Sequence, residues 1–102
     1  MRIYISGPIT GIDNYRQNFD KAEETLIALG CDVINPARVD DCIKNLTYDE
    51  FLALDLFMLE MCDAIYLLPG WMDSKGAKAE VARALAKNKL IYSEMENNII
   101  EV

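Results

Sequence analysis

The sequence predicts a small doubly wound α/β domain, a parallel sheet in the strand order 2-1-3-4 with helices on both faces. Apolar runs of strand length alternate with stretches of helical periodicity, in the order β-α-β-α-β-α-β. The run Ala64-Ile65-Tyr66-Leu67-Leu68 is apolar without a break, as expected of a strand covered on both faces. The chain has 102 residues, 52% apolar and 26% charged, enough for one core over residues 1–102 and too little for two. Right-handed crossovers then set the strand order.

Each element carries its own signals. Residues 2–6, Arg-Ile-Tyr-Ile-Ser, read as a strand ending at the Gly7-Pro8 turn. Phe19, Ala22, Leu26 and Leu29 recur at helical spacing over residues 15–29, and Gly30 closes that helix. Residues 31–35 form the second strand, stopped by Pro36; residues 37–46 read as irregular. Thr47, with Glu50 three residues on, caps a helix over residues 48–62. Pro69-Gly70 ends the third strand, a helix follows over residues 74–87, and Leu90-Ile91-Tyr92 is the fourth strand. Residues 94–102 form a tail without an assigned element.

Composition excludes several functions. Ten basic residues against seventeen acidic give a formal net charge of −7. A nucleic-acid polymer or an anionic membrane selects a basic surface, so neither is an expected partner. A bound phosphate would have to be held by backbone N–H groups and hydroxyls. Histidine is absent, which removes Ser-His-Asp and Cys-His triads and most zinc sites. No spaced ligand cluster suggests a metal, and neither a Walker loop nor a dinucleotide fingerprint suggests a cofactor. Cys31, Cys42 and Cys62 make no C-x-x-C pair and read as reduced thiols of a cytoplasmic protein. The chain opens straight into a strand pattern, with no expected secretory signal, and no apolar run is long enough to span a membrane. Carboxylates are the remaining catalysts.

In a doubly wound sheet the ligand crevice lies at the carboxyl ends of the strands, where the winding reverses. Here that is between the first and third strands, so residues 6–11 (Ser6, Gly7, Pro8, Ile9, Thr10, Gly11) should face residues 69–74 across one cleft. Asp55 falls inside the apolar stripe Tyr48, Phe51, Leu52, Leu59 and Cys62, where a carboxylate is paired, capping or functional. The third helix should bury Ala77, Val81, Ala84 and Leu85, with Glu80 either solvated or aimed into the crevice past small Gly76 and Ala77. The loop Gly70-Trp71-Met72-Asp73-Ser74 enters a helix N-terminus, which either suits an anion or is simply capped by Ser74 or Asp73. Trp71 either walls the crevice or covers the sheet edge, and the Tyr4 hydroxyl either reaches the crevice or packs. Asp40-Asp41 and Glu94, Glu96 and Glu101 read as solvated surface.

Taken in order, Ile3-Tyr4-Ile5-Ser6-Gly7-Pro8-Ile9-Thr10-Gly11, Phe19 and Ala22, Asn35-Pro36, Asp55 before Cys62-Asp63, and Gly70-Trp71-x-x-Ser74-x-Gly76-Ala77-x-x-Glu80 resemble the nucleoside 2-deoxyribosyltransferase-like superfamily. More narrowly, they resemble its short branch common in phage and prophage genomes, and they are similar to its deoxynucleoside 5′-monophosphate N-glycosidases. The resemblance implies a Rossmann-like fold, Glu80 as nucleophile at an anomeric carbon, Asp55 assisting protonation of the leaving base, and Tyr4 hydrogen-bonded to the nucleophile. It places the substrate along Ser6, Gly7, Pro8, Ile9, Gly70, Trp71, Ser74 and Gly76. Two carboxylates flanking an N-glycosidic bond follow the logic of glycosidases, the proton donor's pKa being raised by burial. Where the transferases carry an acidic residue six positions before the nucleophile, this chain has Ser74, as the nucleotide-hydrolysing members do. A serine at a helix N-terminus accommodates a 5′-phosphate that a carboxylate would repel. The resemblance also implies a homo-oligomer, with residues 97–102 either completing a neighbour's pocket or packing.

Three readings compete. The first is an enzyme acting at the N-glycosidic bond of a nucleoside or its 5′-monophosphate, with neither cofactor nor metal. The second is a nucleotide-binding module using the same crevice without turnover. The third, an oligomerising structural protein, leaves Asp55 and Glu80 unexplained.

Overall fold

Strands β1 (Arg2–Ser6), β2 (Asp32–Ile34), β3 (Ala64–Leu67) and β4 (Leu90–Met95) lie parallel in the order 2-1-3-4. They belong to a computed structural model that describes the backbone of residues 1–95 and 98–101 and the side chains of residues 1–39 and 42–94. The tail, unassigned in the sequence, adds β5 (Asn98–Glu101) antiparallel to β4, with Tyr92 opposite Glu101. The acidic surface expected at Asp40, Asp41, Glu96 and Glu101, and a contribution of residues 97–102 to a neighbour's pocket, lie outside the described side chains.

Strand alternation sorts the core into two layers. Ile3 and Ile5 of β1 and Ala64 and Tyr66 of β3 pack under Phe19, Ala22 and Leu26 of α1 (Tyr15–Ala28). Tyr4, Ile65, Leu67 and Ile91 face the other way, against Leu59 of α3 (Tyr48–Glu60) and Ala84 of α4 (Lys75–Ala86). The same alternation puts Tyr4 and Ser6 on the α3/α4 side of the sheet.

Helix ends follow local chemistry. Thr47 and Glu50 form the expected capping box on α3. Gly30, at φ +89°, closes α1 as its N–H reaches Ile27 and that of Cys31 reaches Leu26. Asn88, at φ +58°, does the same for α4 through Leu85, with Lys89 reaching Ala84.

Four expectations are corrected. Residues 37–46 are not wholly irregular: α2 (Ala37–Cys42) starts where Asn35 Oδ1 accepts from the Ala37 N–H at 3.0 Å, and six residues are too few to show a period. Leu29 and Leu85, expected inside, are 65% and 62% exposed, because one caps α1 and the other lies on the outer side of α4. Glu94, expected in solvent, is half-buried, because β4 runs on to Met95 and brings it to the Tyr66 hydroxyl at 2.9 Å. Tyr48, Phe51 and Leu52 do not fill the core; they wall a cavity.

Candidate functional site

The cavity opens at the carboxyl ends of the strands on the α3/α4 side and measures about 240 Å³. Gly7, Ile9 and Thr10 from the loop after β1 form one wall, with Pro36 after β2 beside them. Tyr48, Phe51, Leu52 and Asp55 of α3 form the opposite wall. Ser74, Gly76, Ala77 and Glu80 close it from α4, and Tyr4 reaches it from β1. The Lys75 ammonium lies 5.6 Å from the Tyr48 ring centroid, a cation–π contact tying the first turns of α3 and α4 together.

Glu80 is the centre of the site. It is 5% exposed, yet both carboxylate oxygens are engaged. The Tyr4 hydroxyl donates to Oε2 at 2.6 Å and Ser6 Oγ donates to Oε1 at 2.5 Å. The short helix start explains the reach: Ser74 caps α4 by accepting from the Ala77 N–H at 3.2 Å, so Glu80 falls on the turn that crosses the end of β1. Burial pushes the Glu80 carboxyl above its ordinary value, and the hydrogen bonds from Ser6 and Tyr4 pull it back in part. The Tyr4 phenol is held well above its ordinary value by burial first, then by the charges of Glu80 and Asp55.

The expected residues divide into three groups. Tyr4, Asp55, Glu80, Gly7, Ile9, Ser74 and Gly76 all line this one cavity. Ser6 is adjacent but behind the wall, 1% exposed, its hydroxyl directed at Glu80 and not at a ligand. Pro8, Gly70 and Trp71 are outside the lining. The two loops share the cavity through Gly7, Ile9, Thr10 and Ser74, and they also meet outside its lining, where a Cβ on Gly70 would lie 3.5 Å from Pro8 Cγ. Gly70, in the left-handed region at φ +85°, starts a 3-10 turn (Trp71–Asp73) that lays the indole on the core beneath.

Sequence reasoning missed the cavity role of Tyr48, Phe51 and Leu52. The signal was present: the stripe that holds Asp55 also holds these three, so the carboxylate marked the first half of the stripe as a cavity wall, while Leu59 and Cys62 at its other end pack in the core. Pro36 and Phe19, which also line the cavity, carried no such signal.

Other chemistry is limited. No Lys or Arg lines the cavity among the described residues. Among them, too, no group of three or more His, Cys, Asp or Glu is arranged to hold a metal. Cys31, Cys42 and Cys62 are all free, and burial pushes the Cys62 thiol up to about 11, away from a reactive thiolate. No helix among the described residues is long and apolar enough to cross a membrane.

Fold and site together define a small doubly wound α/β domain with an apolar-walled cavity and two carboxylates at its switch point. The chain belongs to the DUF4406 family, a domain of unknown function, whose model matches residues 1–93. No curated protein matches it.

Proposed function

We propose that the protein cleaves or transfers at the N-glycosidic bond of a (deoxy)nucleoside or its 5′-monophosphate, with Glu80 as nucleophile. One observation carries the reading: a buried carboxylate, held on both oxygens by hydroxyls, faces a cavity that contains a second carboxylate. A glutamate stripped of water is an expensive core residue, and a cavity in front of it supplies a use for its charge.

In this reading Glu80 attacks the anomeric carbon as the bond to the base nitrogen breaks. The bond's electron pair leaves with the base, and Asp55 delivers the proton that neutralises it. Water or a second base then attacks the anomeric carbon, the ester C–O bond breaks with its electron pair returning to the Glu80 carboxylate, and the acceptor's proton passes to Asp55. Phe51, Tyr48 and Leu52 suit a planar heterocycle. Ser74 Oγ accepts from Ala77 N–H and keeps its own proton, which a 5′-phosphate at the α4 N-terminus would accept. The working compartment is the cytoplasm, which three free thiols fit.

Chromatography of released base tests the reading. Purified protein is incubated with ribo- and deoxynucleosides and their 5′-monophosphates, with and without an acceptor base. Release or exchange is expected from wild type, falling about a thousandfold or more in Glu80→Gln. No release from any substrate, together with a thermal shift from one of them, would replace the enzyme with a nucleotide-binding module. Sedimentation of the same sample reads the expected self-association.

A further inference from the structure

We propose that Ser6 is a positioning residue that, together with Tyr4, holds Glu80 in its ionised form inside the cavity. The inference rests on the reading of Glu80 as the working carboxylate, but its test does not need turnover.

The argument is one of proton accounting. Ser6 and Tyr4 are 1% and 0% exposed, so neither hydroxyl has water as an alternative partner. Each donates to a different oxygen of Glu80. An ionised carboxylate is acceptor-only and satisfies both donors at once. A protonated one brings a third proton into a group of three, and that O–H must find an acceptor elsewhere or displace one of the two donors. The pair of hydroxyls therefore opposes the desolvation that favours the neutral acid.

The two hydroxyls are not equivalent. Tyr4 lines the cavity, whereas Ser6 lies behind the lining. Ser6 therefore acts only through Glu80. The charged and titratable groups around Glu80 are Tyr4 beside it on β1, Asp55 across the cavity on α3, and the Cys62 thiol, which is close enough to act on the Tyr4 phenol once ionised. No cationic side chain lines the cavity among the described residues, so hydroxyl donors carry what a lysine or arginine would otherwise supply.

The test is a carboxyl-carbon NMR titration of the full chain labelled at glutamate Cδ, with the Glu80 signal assigned by its loss in Glu80→Gln. Losing a hydrogen bond to a buried charge should move the Glu80 midpoint up by about one to two pH units in Ser6→Ala. Ser6→Thr, which keeps the hydroxyl, should stay within about 0.3 unit of wild type, well inside the shift expected for a lost bond. A midpoint unmoved in folded Ser6→Ala would overturn the inference. Should Ser6→Ala fail to fold, Ser6→Cys gives the same decision, since its weak S–H donor predicts an upward shift and an unmoved midpoint refutes it. A shifted midpoint in a protein that releases no base would retain Ser6 in this role and remove only the N-glycosidic reading.

Discussion

Tyr4 and Tyr66 are both buried, one on each face of the sheet, and each donates its hydroxyl to a glutamate. The glutamates differ. Glu80 comes from a helix, is enclosed, and has a hydroxyl on each oxygen. Glu94 comes from the end of β4, is half-buried, and accepts the Tyr66 hydroxyl at 2.9 Å. Water still solvates Glu94, so that pair serves chiefly to satisfy a phenol that the core would otherwise strand. Glu80 has lost its water and depends on Ser6 and Tyr4. A tyrosine–glutamate contact alone does not mark a site; enclosure of the carboxylate at the wall of a cavity does.

The comparison is broken or sharpened first by removing each hydroxyl. Tyr4→Phe takes a donor from a buried charge and should lower base release about 10- to 100-fold. Tyr66→Phe should leave release within about twofold, since it touches neither the cavity nor Glu80. Equal losses in the two variants would erase the distinction between the faces.

Next comes the point where the faces join. A Cβ on Gly7 would meet Leu68 Cβ at 2.8 Å and Cδ1 at 2.9 Å, closer than a packed side chain tolerates. Gly7 lines the cavity while Leu68 belongs to the α1-side core, so overpacking here disturbs both. Gly7→Ala should cost about 1–3 kcal/mol in urea unfolding. An unchanged midpoint would mean that the β1 and β3 loops have slack and that the cavity wall is not fixed by the core behind it.

The sheet was legible because its strands announce themselves: the unbroken run at residues 64–68 and the apolar Ile3-Tyr4-Ile5, closed by the Gly7-Pro8 turn, have no competing period. The helix caps at Thr47 and Gly30 were legible for the same local reason. α2 was not, since six residues contain less than two turns, and β5 was not, since an antiparallel edge strand is defined by its partner. At the site, Asp55 and Glu80 stood out as carboxylates against an apolar or small-residue background. The position of Trp71 did not, because a left-handed Gly70 decides it and a sequence does not print φ. Ser6 was read as a ligand contact from its loop, whereas strand parity turns it toward α4.

The enclosure of Glu80 also has a pH signature. Its folded-state pKa is raised above the ordinary 4.5, so it binds its proton more tightly folded than unfolded. Its contribution to stability is fully present below about 4.5 and is lost as pH rises through the folded-state titration. Urea melts across this range should show wild type losing stability relative to Glu80→Gln as pH climbs, then running parallel once Glu80 is ionised. A difference that is flat throughout would mean that the hydrogen bonds from Ser6 and Tyr4 offset the burial of Glu80 in full.

The smallest effect expected is the stability change in Tyr66→Phe. The substitution keeps the ring in the α1-side core and removes one hydroxyl. Glu94 turns to water for the lost donor, and no buried group is left unpaired, so the loss should fall at about 0.5–1.5 kcal/mol. Urea unfolding at neutral pH measures it alongside Gly7→Ala. A loss as large as that of Gly7→Ala would mean that Glu94 is enclosed in solution like Glu80. The second face would then hold a buried carboxylate too, facing the groove between Pro8, Lys21 and Pro69, and both sides of the sheet would call for a functional account.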